Sequence, residues 1–171
     1  MAETPIIKRL APVLSVGGVI ILIAAFLTGL MTVSQFGLGI AAGIVAAIIM
    51  AVMMMAMDAM NMVPLHVPKM VSDNLGMLDM WMAVHFATAI AFAEGYIILV
   101  NLIGFGGSYI GAIVYAILVP MLLLDLVILP DNGHGMFGME KGMMMAMMTV
   151  VMHIVYGIGI AIVLVSQNAF A

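Results

Sequence analysis

The sequence predicts an all-α fold: a polytopic membrane helix bundle with five transmembrane helices, N-terminus inside and C-terminus outside. Composition, hydropathy and segment length carry that expectation. Of 171 residues, 67% are apolar and 7% charged, where soluble domains are about a quarter charged. The mean hydropathy is +1.36. Apolar runs of about 20 residues, enough at 1.5 Å each to cross the hydrocarbon core, follow one another with short loops between them. Residues 1–171 therefore read as one integral-membrane domain. The net charge of −4 is spread thinly, so the expected surroundings are lipid and other membrane-protein subunits, and no nucleic acid. The chain has no cysteine, which excludes disulfides, thiolate metal sites and thiol catalysis and leaves the redox compartment open.

The first helix is expected over about 10–31, with Pro12 tolerated in its opening turn. Its apolar run is longer than a signal-peptide core, and the TVSQFG that follows lacks a small-residue cleavage pattern, so it reads as a retained span. Thr32 to Gly37 reads as a turn. The second helix, about 38–59, carries Gly39 and Gly43, a spacing that lets another backbone approach. Asn61 to Leu78 reads as a surface loop with an interfacial turn. The third helix, 80–103, is the stretch around which the chain is organised, because it holds His85 and Glu94. A carboxylate there costs roughly 3 kcal/mol to insert; the aliphatic and aromatic residues around it offset that cost. Gly104, Gly106 and Gly107 make a tight apolar turn. The fourth helix, 108–129, contains Pro120, which removes a backbone hydrogen bond and predicts a kink. The loop PDNGHGMFGMEKG leads to a fifth helix over 142–165 and a short uncharged tail.

Orientation follows from Lys8, Arg9, Lys69 and Lys141. Five alternating helices put all four on one side, which the positive-inside rule makes the cytoplasm. Counting 1.5 Å per residue from that side, His85 lies roughly 9 Å deep and Asp125 roughly 6 Å. Glu94 lies roughly 22 Å deep and His153 roughly 17–20 Å, with Tyr115 near the same level. Depth thus pairs His85 with Asp125, and Glu94 with His153 and Tyr115, inside a core bundle of the third, fourth and fifth helices. Such groups mark a proton path, an ion site or haem ligands; equally, they are polar contacts that hold helices together, and that reading weighs more. Bis-His haem ligation is disfavoured by a depth difference of about 10 Å.

Of the 22 methionines, nineteen fall in two blocks, Met50 to Met82 and Met136 to Met152. Thioethers and imidazoles suit Cu(I), and copper is the one cofactor the composition suggests, beside structural lipids. The runs of consecutive Met place sulfur all round the helix, which favours adaptable filler over a metal path. The best small cluster for a surface metal is Asp131, His134, Met136, Met139 and Glu140, with His66 near the other Met block. There is no P-loop, zincin, nucleophile-elbow or dinucleotide motif, and no inverted repeat of the transporter kind.

From Gly39 onward the pattern resembles a family of small, Met-rich, four-helix prokaryotic membrane proteins known as a domain of unknown function. The carrying stretches are GIAAGIVAAIIMAVMMMAM, WMAVHF, Ala116 to Pro130 followed by GHGMFG, and HIVYG. The resemblance implies an all-helical membrane fold with His85 and His153 in bundle positions, and it supplies no activity. The function expected is a non-catalytic accessory or structural subunit of a larger complex in a prokaryotic cell membrane. A respiratory or other redox complex fits, including a copper-dependent oxidase or monooxygenase. The alternatives are a Cu(I)-binding membrane protein, or a small oligomeric proton or ion channel using Glu94 and His153.

Overall fold

The computed structural model describes residues 6–62, 66–77, 79–104 and 106–170, with 6–15 described by their backbone alone. The helices are α1 (Ile6–Leu27), α2 (Val33–Ala59), α3 (Val67–Asn74), α4 (Trp81–Ile103), α5 (Tyr109–Asp131) and α6 (Met143–Leu164). No strand occurs among the described residues. Helices α2, α4, α5 and α6 are each long and apolar enough to cross a membrane, and in α1 the stretch Val16–Leu27 is apolar. The chain is an all-helical, multi-pass membrane protein.

Two boundaries differ from expectation for local reasons. Helix α2 begins at Val33, inside the segment expected to be a turn. Thr32 and Gln35 form a reciprocal capping box, the Thr32 hydroxyl accepting from Gln35 N and the Gln35 side chain accepting from Thr32 N. That cap starts a helix without any charge or proline to announce it. Helix α1 stops at Leu27, where Gly29 takes a positive φ of 73° and turns the chain. Between α2 and α4, the expected surface loop contains the short helix α3, opened by Pro68 in its first turn. Residues 63–65 and 78 of that loop lie outside the described residues, as do the Lys8 and Arg9 side chains.

Helix α5 absorbs Pro120 without breaking. The helix widens into π-type turns over Ile117–Met121 and again over Leu124–Ile128. A proline inside a helix frees a carbonyl one turn earlier, and a wider turn is one way to accommodate it.

The core is centred on α2, not on the three later helices. Helix α2 packs along both α4 and α6, and α5 packs on α6. The reason is a face of small residues: Gly39, Ala42, Gly43, Ala46 and Ala47 are all buried. A Cβ at Gly43 would strike the Ile90 backbone, and one at Gly159 on α6 would lie 2.7 Å from the Ala46 Cα. Close backbone approach of this kind substitutes for the hydrophobic effect, which does not act between helices in lipid.

The end of the bundle away from Lys69 and Lys141 is pinned by side chains. Asn101 Nδ2 donates to Leu30 O at 2.7 Å and to Gln35 Oε1 at 3.2 Å. Gln35 Nε2 in turn donates to Ala169 O at 2.8 Å, fastening the tail. Phe170 packs edge-on against Tyr96, whose hydroxyl donates to Gly106 O and Ser108 O in the glycine turn.

Candidate functional site

All five intramembrane polar residues singled out in the sequence are buried: His85, Glu94, Tyr115, Asp125 and His153. Their hydrogen bonds do not follow the depth-matched pairs. His85 Nε2 donates across to Ala47 O of α2 at 3.1 Å. Tyr115 donates to Phe92 O at 2.9 Å, close beside Glu94 but to the backbone. His153 Nδ1 donates to Thr149 O, one turn back on its own helix, at 2.7 Å. Neither carboxyl oxygen of Glu94 has a hydrogen-bond partner. The carboxyl of Glu94 fills the space a Cβ would take at Gly39. Asp125 is fully buried on α5 beside Thr149, whose hydroxyl donates to Ala146 O. Matching by depth alone fails because it ignores azimuth and the backbone. His85 and Tyr115 reach carbonyls on a neighbouring helix and His153 one on its own, and those carbonyls are invisible in a list of polar side chains.

The two histidines do share a space. A cavity of about 360 Å³ opens among α2, α3, α4, α5 and α6, lined by both His85 and His153. That volume lies within the range of small-ligand sites. Its methionines come from two ladders. Helix α2 supplies Met50, Met54 and Met57, at i, i+4 and i+7. Helix α6 supplies Met145, Met148 and Met152, at i, i+3 and i+7. Those spacings put each set on one helix face. In the Met53–Met54–Met55 run, Met54 is buried at 7% exposure while Met55 is 56% exposed. The consecutive runs therefore conceal an inward thioether face behind outward filler. The signal was in the spacing, and the abundance of sulfur obscured it.

The polar groups of this cavity have one chemical character. Its hydroxyls spend their hydrogens on the backbone: Thr88 on Val84 O and His85 O, Thr149 on Ala146 O, and Tyr156 on Ala89 O at 2.6 Å. Each histidine also spends one N–H on a carbonyl, which in the neutral ring puts the lone pair on the other nitrogen. In His85 that nitrogen is Nδ1, and in His153 it is Nε2. The wall thus offers lone pairs on imidazole nitrogen and thioether sulfur, with its N–H and O–H groups already engaged.

No protein-family model, curated protein or solved structure matches this chain.

The surface candidates lie where the sequence put them, His66 in the α2–α4 connection and Asp131, His134, Met136, Met139 and Glu140 together at the α5–α6 connection, where Glu140 N donates to His134 O at 3.2 Å. His66 caps α3, with its ring edge-on to Trp81 at 5.1 Å, and borders a groove with Lys69 and Asp73. Asp131 ends α5, His134 sits in the following turn, and Met136 opens a 3-10 turn with 60% exposure. Among the described residues, no group of three or more His, Asp or Glu side chains is placed to hold a metal. What links the two places is a hydrogen bond from Asn74 Nδ2 to Asn132 Oδ1 at 2.7 Å.

Proposed function

We propose that this chain is a non-catalytic accessory subunit of a larger membrane complex, of respiratory or other redox type, in a prokaryotic cell membrane. In this reading α1 is a fifth span, the N-terminus is cytoplasmic and the C-terminus is external. One observation supports it above the others: the methionines at the Lys69 and Lys141 end that sit in connections rather than in spans. Met60, Met62, Met77 and Met80 border the α2–α4 connection, and Met136 and Met139 lie in the α5–α6 connection; all six are exposed. Lipid tails cover apolar side chains along a span but not in a connecting loop at its end. Unbranched, polarizable thioethers gathered there form an adaptable apolar surface of the kind that protein partners cover. The turns at the other end, 28–32 and 104–108, present no exposed methionine among the described residues.

The experiment is affinity purification of the tagged chain from native membranes at natural expression, followed by mass spectrometry. The expected result is a small set of membrane subunits in constant ratio, weakened when Met136 and Met139 are changed to Gln. Recovery of a stable monomer without partners would overturn the reading.

A further inference from the structure

We propose that the cavity between the two methionine ladders is a binding site for a soft monovalent cation, Cu(I) in the reduced state. The site needs no partner subunit. Three of its features converge. The ladders of α2 and α6 bring six thioethers to one space, three from each helix. His85 and His153 line the same space, and each has one nitrogen tied to a carbonyl and the other carrying a lone pair. Orientation of a ligating imidazole by such a backbone bond is the usual support of a metal-binding histidine. The cavity hydroxyls are turned to the backbone, so the wall is a set of electron-pair donors. That character selects against anions and against hard cations, which demand oxygen ligands, and in favour of Cu(I), which takes sulfur and imidazole nitrogen.

Asp125 supplies what such a site still needs. A single positive charge in a low-dielectric cavity requires a compensating negative one. Asp125 is fully buried beside the Thr149 hydroxyl of the cavity wall, and among the described residues no cationic side chain pairs with it. It lies outside the first layer of ligands, as a counter-charge.

The test uses the full chain, purified in detergent and titrated anaerobically with Cu(I) against a chromophoric chelator. The expected result is one ion per chain, with an X-ray absorption spectrum showing both sulfur and nitrogen in the first shell. A Met54→Leu/Met148→Leu double variant keeps side-chain volume and should weaken binding by about 10-fold or more. A control set of exposed residues, Met136→Leu/Met139→Leu/Met143→Leu, should leave affinity unchanged. Should the cavity variant fail to fold, the wild-type chain decides. With methyl-labelled methionine and Ag(I) as a diamagnetic stand-in, shifts should be confined to cavity methionines. Failure to hold Cu(I) against the chelator would overturn the proposal. So would loss of binding in the exposed control set, Ag(I) shifts at surface methionines, or wild-type affinity in a folded cavity variant. Because these readouts concern the isolated chain, they fail or succeed separately from the search for partner subunits.

Discussion

Glu94 of α4 rests its carboxyl group against Gly39 of α2, where a Cβ would lie 2.5 Å from Oε1 and 2.6 Å from Oε2. Four residues along α2, Gly43 faces the backbone of Ile90 on the same neighbour. The two glycines look alike in sequence and are predicted to respond differently. A methyl at Gly43 meets backbone that cannot move, so Gly43→Ala should cost about 1–3 kcal/mol of overpacking. A methyl at Gly39 meets the free end of a flexible side chain, which swings aside, so Gly39→Ala should be near neutral and displace Glu94. Unfolding in mixed micelles measures the first effect; the carboxyl band in infrared difference spectra reports the second. Gly18, where an added methyl would meet nothing within 4 Å, is the control; alanine there should gain up to about 1 kcal/mol of helix propensity.

The hydrogen bond from Tyr156 to Ala89 O, 2.6 Å long and buried, ties α6 to α4. Tyr156→Phe leaves the carbonyl with only its helical partner and removes that tie. The expected loss is about 1 kcal/mol, measured by the same unfolding titration. Thr28→Val is the exposed comparison: its hydroxyl bonds back to Ala24 O within one turn, and its loss should be close to zero.

The carboxyl groups discriminate between two accounts of the polar interior. If Glu94 were one half of an ion pair, replacing it would strand the other half and cost about 3–5 kcal/mol. Both its oxygens lack hydrogen-bond partners in the chain, and Asp125 has only the neutral Thr149 hydroxyl beside it, which an asparagine can also meet. Glu94→Gln and Asp125→Asn are therefore each expected to leave stability within about 1 kcal/mol of wild type. Unfolding free energies of the two variants in copper-free buffer check this.

Much of the architecture was legible because membrane spans are long and their apolar runs are unambiguous. The helix expected at 80–103 is found at Trp81–Ile103, and that expected at 142–165 at Met143–Leu164. The Thr32–Gln35 capping box was legible too, as a T-x-x-Q pattern, but the absence of charges made its segment look like a turn. The short helix α3 was legible only as an interfacial turn, because eight residues containing Lys69, Asp73 and Asn74 carry no apolar run that would give its bounds. Within the site, the residues were visible and their partners were not. His85, Tyr115, His153 and Tyr156 all bond to backbone carbonyls; His153 turns back on its own helix, and for the other three the carbonyl reached depends on how closely helices approach. The cavity was obscured for a different reason: Met54 and Met55 are adjacent and chemically identical, and burial alone separates them.

The Gln35–Asn101 contact closes the end of the bundle that the tail covers. Asn101→Ala removes bonds to Leu30 O and Gln35, and Gln35→Ala removes those to Thr32, Asn101 and Ala169. Each should cost about 1 kcal/mol, and a double-mutant cycle should show the two effects to be coupled. Proteolysis of the tail should accelerate in Gln35→Ala.

In the proposed topology, the cavity and the exposed methionines of the connections lie on the cytoplasmic side of five spans. The chain has no cysteine, so single cysteines can be introduced without background and labelled in intact cells with a membrane-impermeant maleimide. Ser166→Cys should react at once, whereas Lys141→Cys and Ala2→Cys should react only after permeabilisation. Labelling of Ala2→Cys in intact cells, together with Ser166→Cys, would contradict the five-span arrangement.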